Sequence, residues 1–318
     1  MELARDAGIE LDLDGARRRM VGPQRCRDQA ELLGFFDLPI QLLQTAEALQ
    51  RATVELVEDL AADEVRYAEI RWAPRLHLAG GLSVTAVIEA VVAGLARAAS
   101  SLGARAPLVG LITTAMRSHP PAANAELARI AGSFGPPVVG FDLAGPEQAW
   151  PAPPHAIAFV TARDAGLALT AHAGEVPDAR RVREVLEFGV RRVAHGVSAA
   201  ADDELVELLH DRDITLDLCP TSNVQAGVVA SLEEHPVVRL HRAGVSVTLS
   251  TDDRTVTGVT LTDELARTAE ATGMRDDELA AIALNAFRRG FAAPELLRPL
   301  TGHAERAWGA WLSARGIS

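Results

Sequence analysis

The segment Leu167–Glu175 reads LALTAHAGE, an apolar run that ends in a histidine, a small-residue bend and a carboxylate. A strand that ends this way can direct an imidazole and an acid to one point in space. Two later segments end alike: Arg192–Gly196 reads RVAHG, and Val247–Asp253 reads VTLSTDD. Histidine and carboxylate side chains at the ends of three apolar strands are typical of a hydrolytic metal centre at the mouth of a barrel.

Seven apolar segments have the pattern of parallel strands covered on both faces, because most are continuous apolar runs. Helical periodicity between them, as at Val87, Val91 and Leu95, indicates alternating strands and helices. The fold class is therefore α/β, either a barrel or a doubly wound sheet. The predicted strands are Val65–Arg71, Leu108–Thr113, Val138–Leu143, Leu167–His172, Arg192–His195, Ile214–Cys219 and Val245–Thr251.

The domain organisation is predicted to be a single domain over residues 1–318, because no repeat or low-complexity linker divides the chain. Residues 1–60 are expected to be a helical N-terminal region without a convincing strand. This region opens on Glu2–Gly8, which has a glycine where a helix would stop. Residues 276–318 are expected to form C-terminal helices that pack on the barrel.

The composition excludes several classes of function. A hydrophobic content of 48% in 318 residues allows a large core, and a net charge of −12 argues against nucleic acid as a partner. Cys26 and Cys219 form no CxxC pair, which favours a reducing compartment. We expect no apolar stretch that approaches the roughly 20 residues of a membrane helix, and no signal peptide opens the chain. The prediction is a cytoplasmic protein without a membrane partner.

Further motifs follow one another along nearly the whole chain, at the spacing of barrel strands. They are Tyr67–Arg71 with Pro74, Gly140–Glu147, His172–Glu175, Ala194–Gly196, Cys219–Asn223, His235–Pro236 and Ser250–Asp253. Together they resemble the adenosine deaminase family of the amidohydrolase superfamily. The resemblance implies a TIM-type (β/α)8 barrel, Zn²⁺ as the cofactor and a small-molecule aminopurine of purine metabolism as the substrate.

The resemblance also implies a role for particular residues. Metal ligands are implied at His172 and Asp252, catalytic groups at Glu175, His195 and Asp253, and substrate contacts at Asp253 and, through its backbone, Gly145. Glu175 would protonate the purine ring nitrogen beside the attacked carbon, His195 would orient the zinc-bound hydroxide and accept its proton, and Asp253 would hold the ring and the water. Hydrolytic deamination needs groups of these types. We expect them to converge at the carboxyl ends of the strands, with the side chains of His172 and Asp252 within roughly 10 Å of each other.

The sequence departs from the family pattern at its first strand, which in the family carries a His-x-His pair of zinc ligands. No His-x-His occurs in these 318 residues. The run Glu10–Ala16 mimics the shape of that motif with acidic residues, but it lies too close to Tyr67 for the helices that the family places between them. The favoured interpretation aligns Glu2–Gly8 with the helix after the first strand, which makes that strand missing or replaced. A smaller departure is Arg254, where many members have proline.

Structural roles are the alternative for several of these residues. Asp252 and Asp253 could cap a helix, although burial of two adjacent carboxylates without a cation is costly. Glu69 and Arg71 are interpreted as a structural ion pair at a strand end, and Asp142 as support for a ligand. Cys219 is interpreted as a buried small hydrophobe. Surface or capping roles are predicted for His77, His119, His155, His210, His235, His241 and His303.

Two functions of different classes are compatible with these residues. The leading hypothesis is zinc-dependent hydrolytic deamination of adenosine or a related aminopurine nucleoside, in which an activated water attacks carbon 6 and ammonia is released. The alternative is a non-catalytic or impaired truncated homologue that binds purine without turnover, because two expected histidine ligands are absent. Another amidohydrolase that acts on a different amine or amide is supported by fold analogy alone. The pattern gives no prediction of oligomeric state.

Overall fold

Seven strands form one parallel sheet in the computed structural model, which describes residues 1–317. Each strand lies at a predicted segment, and the ends agree within three residues. The predicted α/β fold is confirmed. The strands are β1 (Tyr67–Trp72), β2 (Leu108–Met116), β3 (Val138–Ala144), β4 (Ala168–Ala173), β5 (Arg192–His195), β6 (Thr215–Leu218) and β7 (Ser246–Leu249).

Helices precede, connect and follow the strands. Five come before β1, as predicted for the N-terminal region, and α15 and α16 end the described chain. Short polar side chains cap many of them; for example, Thr45 accepts a hydrogen bond from the Ala48 N–H at the start of α5. The helices are α1 (Glu2–Asp6), α2 (Leu13–Met20), α3 (Gln29–Leu33), α4 (Asp37–Leu42), α5 (Ala46–Ala62), α6 (Val84–Leu102), α7 (Pro121–Gly132), α8 (Ala156–Asp164), α9 (Arg180–Leu186), α10 (Asp203–Asp211), α11 (Pro220–Gln225), α12 (Val237–Arg242), α13 (Arg254–Thr257), α14 (Leu261–Thr272), α15 (Asp276–Arg288) and α16 (Pro294–Ala314).

The sheet curls into an open barrel of the TIM type. Its strand order follows the chain from β1 to β7, and every neighbouring pair is parallel. Arg71 of β1 pairs with Asp217 of β6, and Glu69 Oε2 lies 2.5 Å from Arg192 Nη2 of β5. These strands are not neighbours in the sheet, so the ion pairs cross its interior and require the curl. The closest charged partners of Glu69 and Arg71 therefore lie on β5 and β6, whereas the sequence predicted that the two residues pair with each other.

The barrel is open between its first and last strands. Within residues 1–317, neither β1 nor β7 has a strand on its outer side. Residues 9–12 are irregular and do not close the gap. Asn285 of α15 donates a hydrogen bond from Nδ2 to the Val247 carbonyl of β7 at 3.0 Å, so the C-terminal helices cover part of this edge.

The sequence of helix α6 contradicts the expectation that no apolar stretch approaches the length of a membrane helix. The segment Val84–Arg105 is long and apolar enough to cross a membrane by length and composition alone, with a mean hydropathy of 1.4. In the fold, 44% of an 18-residue stretch of this segment is buried. The buried face includes Val87, Ile88 and Val91, which belong to the same core as Leu111 of β2. This packing is what the amphipathic pattern of a barrel helix predicts.

Candidate active site

The residues predicted to carry the chemistry meet at the carboxyl ends of β4, β5 and β7. His195 Nε2 lies 3.5 Å from Glu175 Oε2, and the rings of His195 and His172 have centroids 5.3 Å apart. Ligand atoms of His195 and Asp252 lie within 4.8 Å of each other. Four of the predicted residues therefore face one space, as expected where parallel strands end together.

Two of these residues have strained backbones. His195 and Asp252 have φ angles of +64° and +57°, in the left-handed region that residues other than glycine rarely adopt. Among residues 1–317, only two other non-glycine residues, Glu64 and Asp213, have positive φ. Strain of this kind costs roughly 1–3 kcal/mol per residue and concentrates at functional sites. The backbone therefore singles out two predicted site residues independently of their side chains.

Two buried charged residues brace the turn after β4, and sequence analysis missed the role of both. The Glu147 carboxylate accepts hydrogen bonds from the backbone N–H groups of Gly174 and Glu175. Arg117 donates from Nη2 to the carbonyl of His172 at 2.7 Å. Burial and the nearby Glu175 raise the pKa of Glu147, although the two N–H donors oppose that shift. Glu147 lies within the predicted motif Gly140–Glu147. No sequence pattern, however, indicates that Glu147 or Arg117 contacts the turn after β4.

A glycine allows this turn to form. Gly174 has a φ of +84°, and a Cβ there would lie 3.0 Å from the Cα of Gly196 and 2.9 Å from Val182 Cγ2. A side chain would therefore separate the turn after β4 from the end of β5. The close approach brings Glu175 to His195.

Asp142 fixes the orientation of His172. Its buried carboxylate lies 2.9 Å from His172 Nδ1, and Thr114 donates a hydrogen bond to it. Burial alone would raise the pKa of Asp142, but His172 and Arg71 lower it below its ordinary value. Because Nδ1 is engaged, His172 presents Nε2 to the site. A carboxylate behind a histidine is typical of metal-binding histidines, which agrees with the support role predicted for Asp142.

The adjacent aspartates occupy different environments. Asp252 is exposed and accepts a hydrogen bond from Ser222 Oγ at 2.7 Å, whereas Asp253 is half-buried. The surrounding protein opposes ionisation of Asp252, but His195 and Ser222 lower its pKa. Burial and the charge of Asp252 raise the pKa of Asp253. The argument that burial of both carboxylates is costly therefore does not apply to Asp252, which is accessible at the open mouth of the barrel.

Asp253 and Gly145 have further local roles. Asp253 Oδ1 accepts a hydrogen bond from the Val256 N–H at 2.8 Å and caps α13, which is the structural role considered for the aspartate pair. Gly145 follows β3 with a φ of +109°, and a Cβ there would lie 3.4 Å from Met116 Cε. Contact with a substrate stays a prediction for both residues.

The residues at this mouth fit a divalent cation. Ligand atoms of His195, Cys219 and Asp252 lie within 4.8 Å of one another, and imidazole, thiolate and carboxylate are the groups that bind Zn²⁺. His172 is outside that trio, but its free Nε2 is on the ring that neighbours His195. Cys219 is buried, as expected, and burial raises the pKa of its thiol. The assignment of His172 and Asp252 as ligands stays a prediction.

Three histidines predicted to have surface or capping roles are buried instead. His77, His155 and His235 expose 6%, 3% and 4% of their surfaces. Each has a hydrogen-bond partner inside the fold, which offsets the cost of burying a polar ring. His235 belongs to a buried chain that reaches the site: its Nε2 lies 3.1 Å from Asn223 Oδ1, and Asn223 Nδ2 lies 3.1 Å from His195 Nδ1.

Known proteins resemble this chain over almost its full length. The model of the adenosine deaminase family matches residues 1–302. An adenosine deaminase from Clostridium perfringens is 35% identical over 305 residues, which cover 94% of this chain and 91% of the relative.

Solved structures agree with the sequence comparison. Adenine deaminase from Arthrobacter aurescens has a TM-score of 0.86 and 27% identity, with 96% of this chain and 92% of that chain covered. The N6-methyl-AMP deaminase from Arabidopsis thaliana has a TM-score of 0.84 and 28% identity, with 96% and 91% covered. The three proteins differ in the aminopurine that their names specify.

Proposed function

The chain belongs to the adenosine deaminase family of hydrolases, and from this premise we propose that it hydrolytically deaminates adenosine or a related aminopurine nucleoside. Water replaces the amino group at carbon 6, and ammonia is released. The observation that carries the proposal is the convergence of His172, Glu175, His195 and Asp252 at the mouth of the barrel. Adenosine is favoured as the substrate because the relative that is 35% identical is an adenosine deaminase.

The residues of the site have separate tasks in this proposal. His172 and Asp252 would hold Zn²⁺, with His195 and Cys219 beside it. When bound, Zn²⁺ supplies a water that is activated near neutral pH. Glu175 donates a proton to the ring nitrogen next to carbon 6, and the brace from Glu147 and Arg117 holds the turn that carries Glu175. His195 orients the attacking water through Nε2.

The substrate contacts and the wider organisation complete the proposal. Asp253 holds the purine ring and the water, and the backbone of Gly145 contacts the substrate. The N-terminal helices, the strands and the C-terminal helices would act as one domain over residues 1–318. A cytoplasmic location is part of the proposal, and cell fractionation tests it.

The direct experiment is an ammonia-release assay with the purified, zinc-supplemented chain. Adenosine, adenine and N6-methyl-AMP are offered in parallel, and the ultraviolet spectrum of each purine is followed. Deamination with adenosine as the preferred substrate is the expected result. A chain that holds metal but turns over none of the three would contradict the proposal.

A second candidate is purine binding without turnover. It is favoured by one observation, the absence of His-x-His from these 318 residues. Three protein ligands and a water are the usual minimum of a catalytic zinc site, and the chain offers them only if His195 or Cys219 joins His172 and Asp252. Elemental analysis for zinc, together with adenosine binding measured by calorimetry, separates this candidate from the first.

A further inference from the structure

A buried chain of three side chains ends at the catalytic mouth. It runs from His235 through Asn223 to His195, and these residues expose 4%, 0% and 2% of their surfaces. The His235–Asn223 and Asn223–His195 contacts are both 3.1 Å. At the other end of the chain, the backbone N–H of Val237 lies 3.3 Å from His235 Nδ1.

The backbone N–H of Val237 fixes the direction of every hydrogen bond between His235, Asn223 and His195. A backbone N–H can only donate, so His235 Nδ1 accepts and the ring carries its proton on Nε2. His235 Nε2–H then donates to Asn223 Oδ1, which leaves the amide nitrogen of Asn223 as the donor to His195 Nδ1. If the amide oxygen and nitrogen of Asn223 were exchanged, its N–H group would face the Nε2–H of His235. Two donors cannot form a hydrogen bond, so that orientation is excluded.

We propose that Asn223 and His235 are positioning residues that keep Nδ1 of His195 as a hydrogen-bond acceptor and its proton on Nε2, the nitrogen that faces Glu175. The proton position follows from the direction of the hydrogen bonds alone. Its role in catalysis rests on the proposed function. In this tautomer, Nε2 donates a hydrogen bond to the oxygen of the attacking water and has no lone pair with which to take up its proton. The resemblance assigns proton acceptance to His195, whereas an Nε2 that already carries a proton cannot accept another.

The ionisation of His235 is consistent with this arrangement. Burial lowers the pKa of His235 to about 3, with a smaller contribution from His195, so His235 stays neutral near pH 7 and keeps one acceptor and one donor nitrogen. A protonated His235 would carry hydrogens on both nitrogens and would face the Val237 N–H with a donor.

The molecule contains a second buried asparagine–histidine pair that serves as a spectroscopic control. Asn124 Nδ2 lies 3.0 Å from His155 Nδ1, and His155 Nε2 lies 3.1 Å from the carbonyl of Arg117. A carbonyl can only accept, so His155 also carries its proton on Nε2. The two pairs should therefore give the same signature.

The tautomer can be read directly by long-range ¹H–¹⁵N correlation spectra of the full chain with ¹⁵N-labelled histidine, recorded near pH 7.5 after chelator treatment. His195 and His155 are assigned by loss of their signals in His195→Gln and His155→Gln. Protonated Nε2 and bare Nδ1 are expected for both. Asn223→Asp, which turns the donor into an acceptor, should protonate Nδ1 of His195 and leave His155 unchanged, whereas Asn124→Asp should do the reverse. A proton on Nδ1 of His195 in the unaltered protein, or no response to Asn223→Asp, would overturn the proposal.

Kinetics with adenosine test the catalytic meaning separately. Asn223→Asp should lower kcat by about 10²-fold or more with little change in KM. His235→Gln keeps an N–H donor toward Asn223 and should restore most of the kcat that His235→Ala loses, and exposed His210→Gln serves as the neutral control. If His235→Gln is as impaired as His235→Ala although both variants fold, the hydrogen bond from residue 235 to Asn223 does not control the activity of His195. Absence of deamination in every protein would contradict the proposed function, while the spectra would still decide the tautomer.

Discussion

At the scale of single residues, the site depends on side chains that hold other side chains in place. His172 is oriented by Asp142, and Glu175 is held through its backbone by Glu147. His195 and Asp252 carry positive φ angles that the rest of the fold must stabilise. The geometry of the predicted site therefore depends on residues beyond those predicted to carry the chemistry.

Glu147→Gln should weaken the brace without removing its volume. An amide can accept at only one of its two heavy atoms, so one of the two N–H groups would face another donor. We expect the free energy of unfolding to fall by about 1–3 kcal/mol and kcat to fall with KM nearly unchanged. Urea unfolding and adenosine kinetics measure both quantities, with exposed Glu187→Gln as the control. Equal behaviour of the two variants would show that the brace has no role.

At the scale of elements, all seven strands could be predicted from the sequence because a strand covered on both faces is a continuous apolar run. The predicted site residues stand out in the sequence because they end those runs. The contacts of Asn223 with His235, and of Glu147 with the turn after β4, could not be predicted. They depend on side-chain directions that local periodicity does not specify. The burial of His77, His155 and His235 was missed for the same reason.

The loop after β7 is held by an element far away in the chain. Asp63, at the end of α5, accepts hydrogen bonds from the Leu261 N–H at 2.7 Å and from Arg254 Nη1 at 3.2 Å. Arg254, one of the departures from the family pattern, thereby anchors the segment that carries Asp252 and Asp253.

Asp63→Asn should loosen this loop, since the side chain of Asp63 is 7% exposed and its amide would face a cation. We expect a loss of about 1–3 kcal/mol in the free energy of unfolding. The matched control is exposed Asp59→Asn on the same helix. Chemical denaturation of both variants provides the measurement, and an unchanged midpoint for Asp63→Asn would refute the anchor.

At the scale of the whole molecule, charged residues inside the curled sheet and buried histidines make stability depend on pH. His77, His155 and His235 have lowered pKa values because burial opposes their protonation. Unfolded histidines titrate near 6.5, so below that pH the unfolded chain takes up protons that the folded chain does not. Stability from these residues is therefore complete above about pH 6.5 and is lost as the pH falls.

The size of this effect can be estimated for His235, whose pKa is about 3. At roughly 1.4 kcal/mol per pH unit below 6.5, acidification to pH 5 should remove about 2 kcal/mol of unfolding free energy. Urea unfolding at pH 7.5, 6.5 and 5 measures the slope, and His235→Gln should flatten it. A stability that stays constant or rises on acidification would contradict the assignment.

The open edge of the barrel should affect metal binding and solubility together. Unpaired strand edges at β1 and β7 invite pairing with other chains, and β7 is the strand that leads to Asp252, a predicted metal ligand. We expect the 318-residue chain to bind zinc weakly, to aggregate readily and to show little activity. A strand with His-x-His joined ahead of Met1 should improve zinc affinity, melting temperature and turnover in parallel. If the 318-residue chain already equals the extended one in all three, the open edge is inconsequential.

The central claim is that Glu175 donates the proton in an adenosine deamination carried out at this barrel mouth. The most direct measurement is ammonia release from adenosine by the zinc-supplemented chain and by Glu175→Gln, with bound zinc determined for both and exposed Glu207→Gln as the control. We predict measurable turnover that falls by about 10²-fold or more in Glu175→Gln while its zinc content is nearly unchanged. Turnover that survives in Glu175→Gln, or zinc that is lost together with the activity, would contradict the claim.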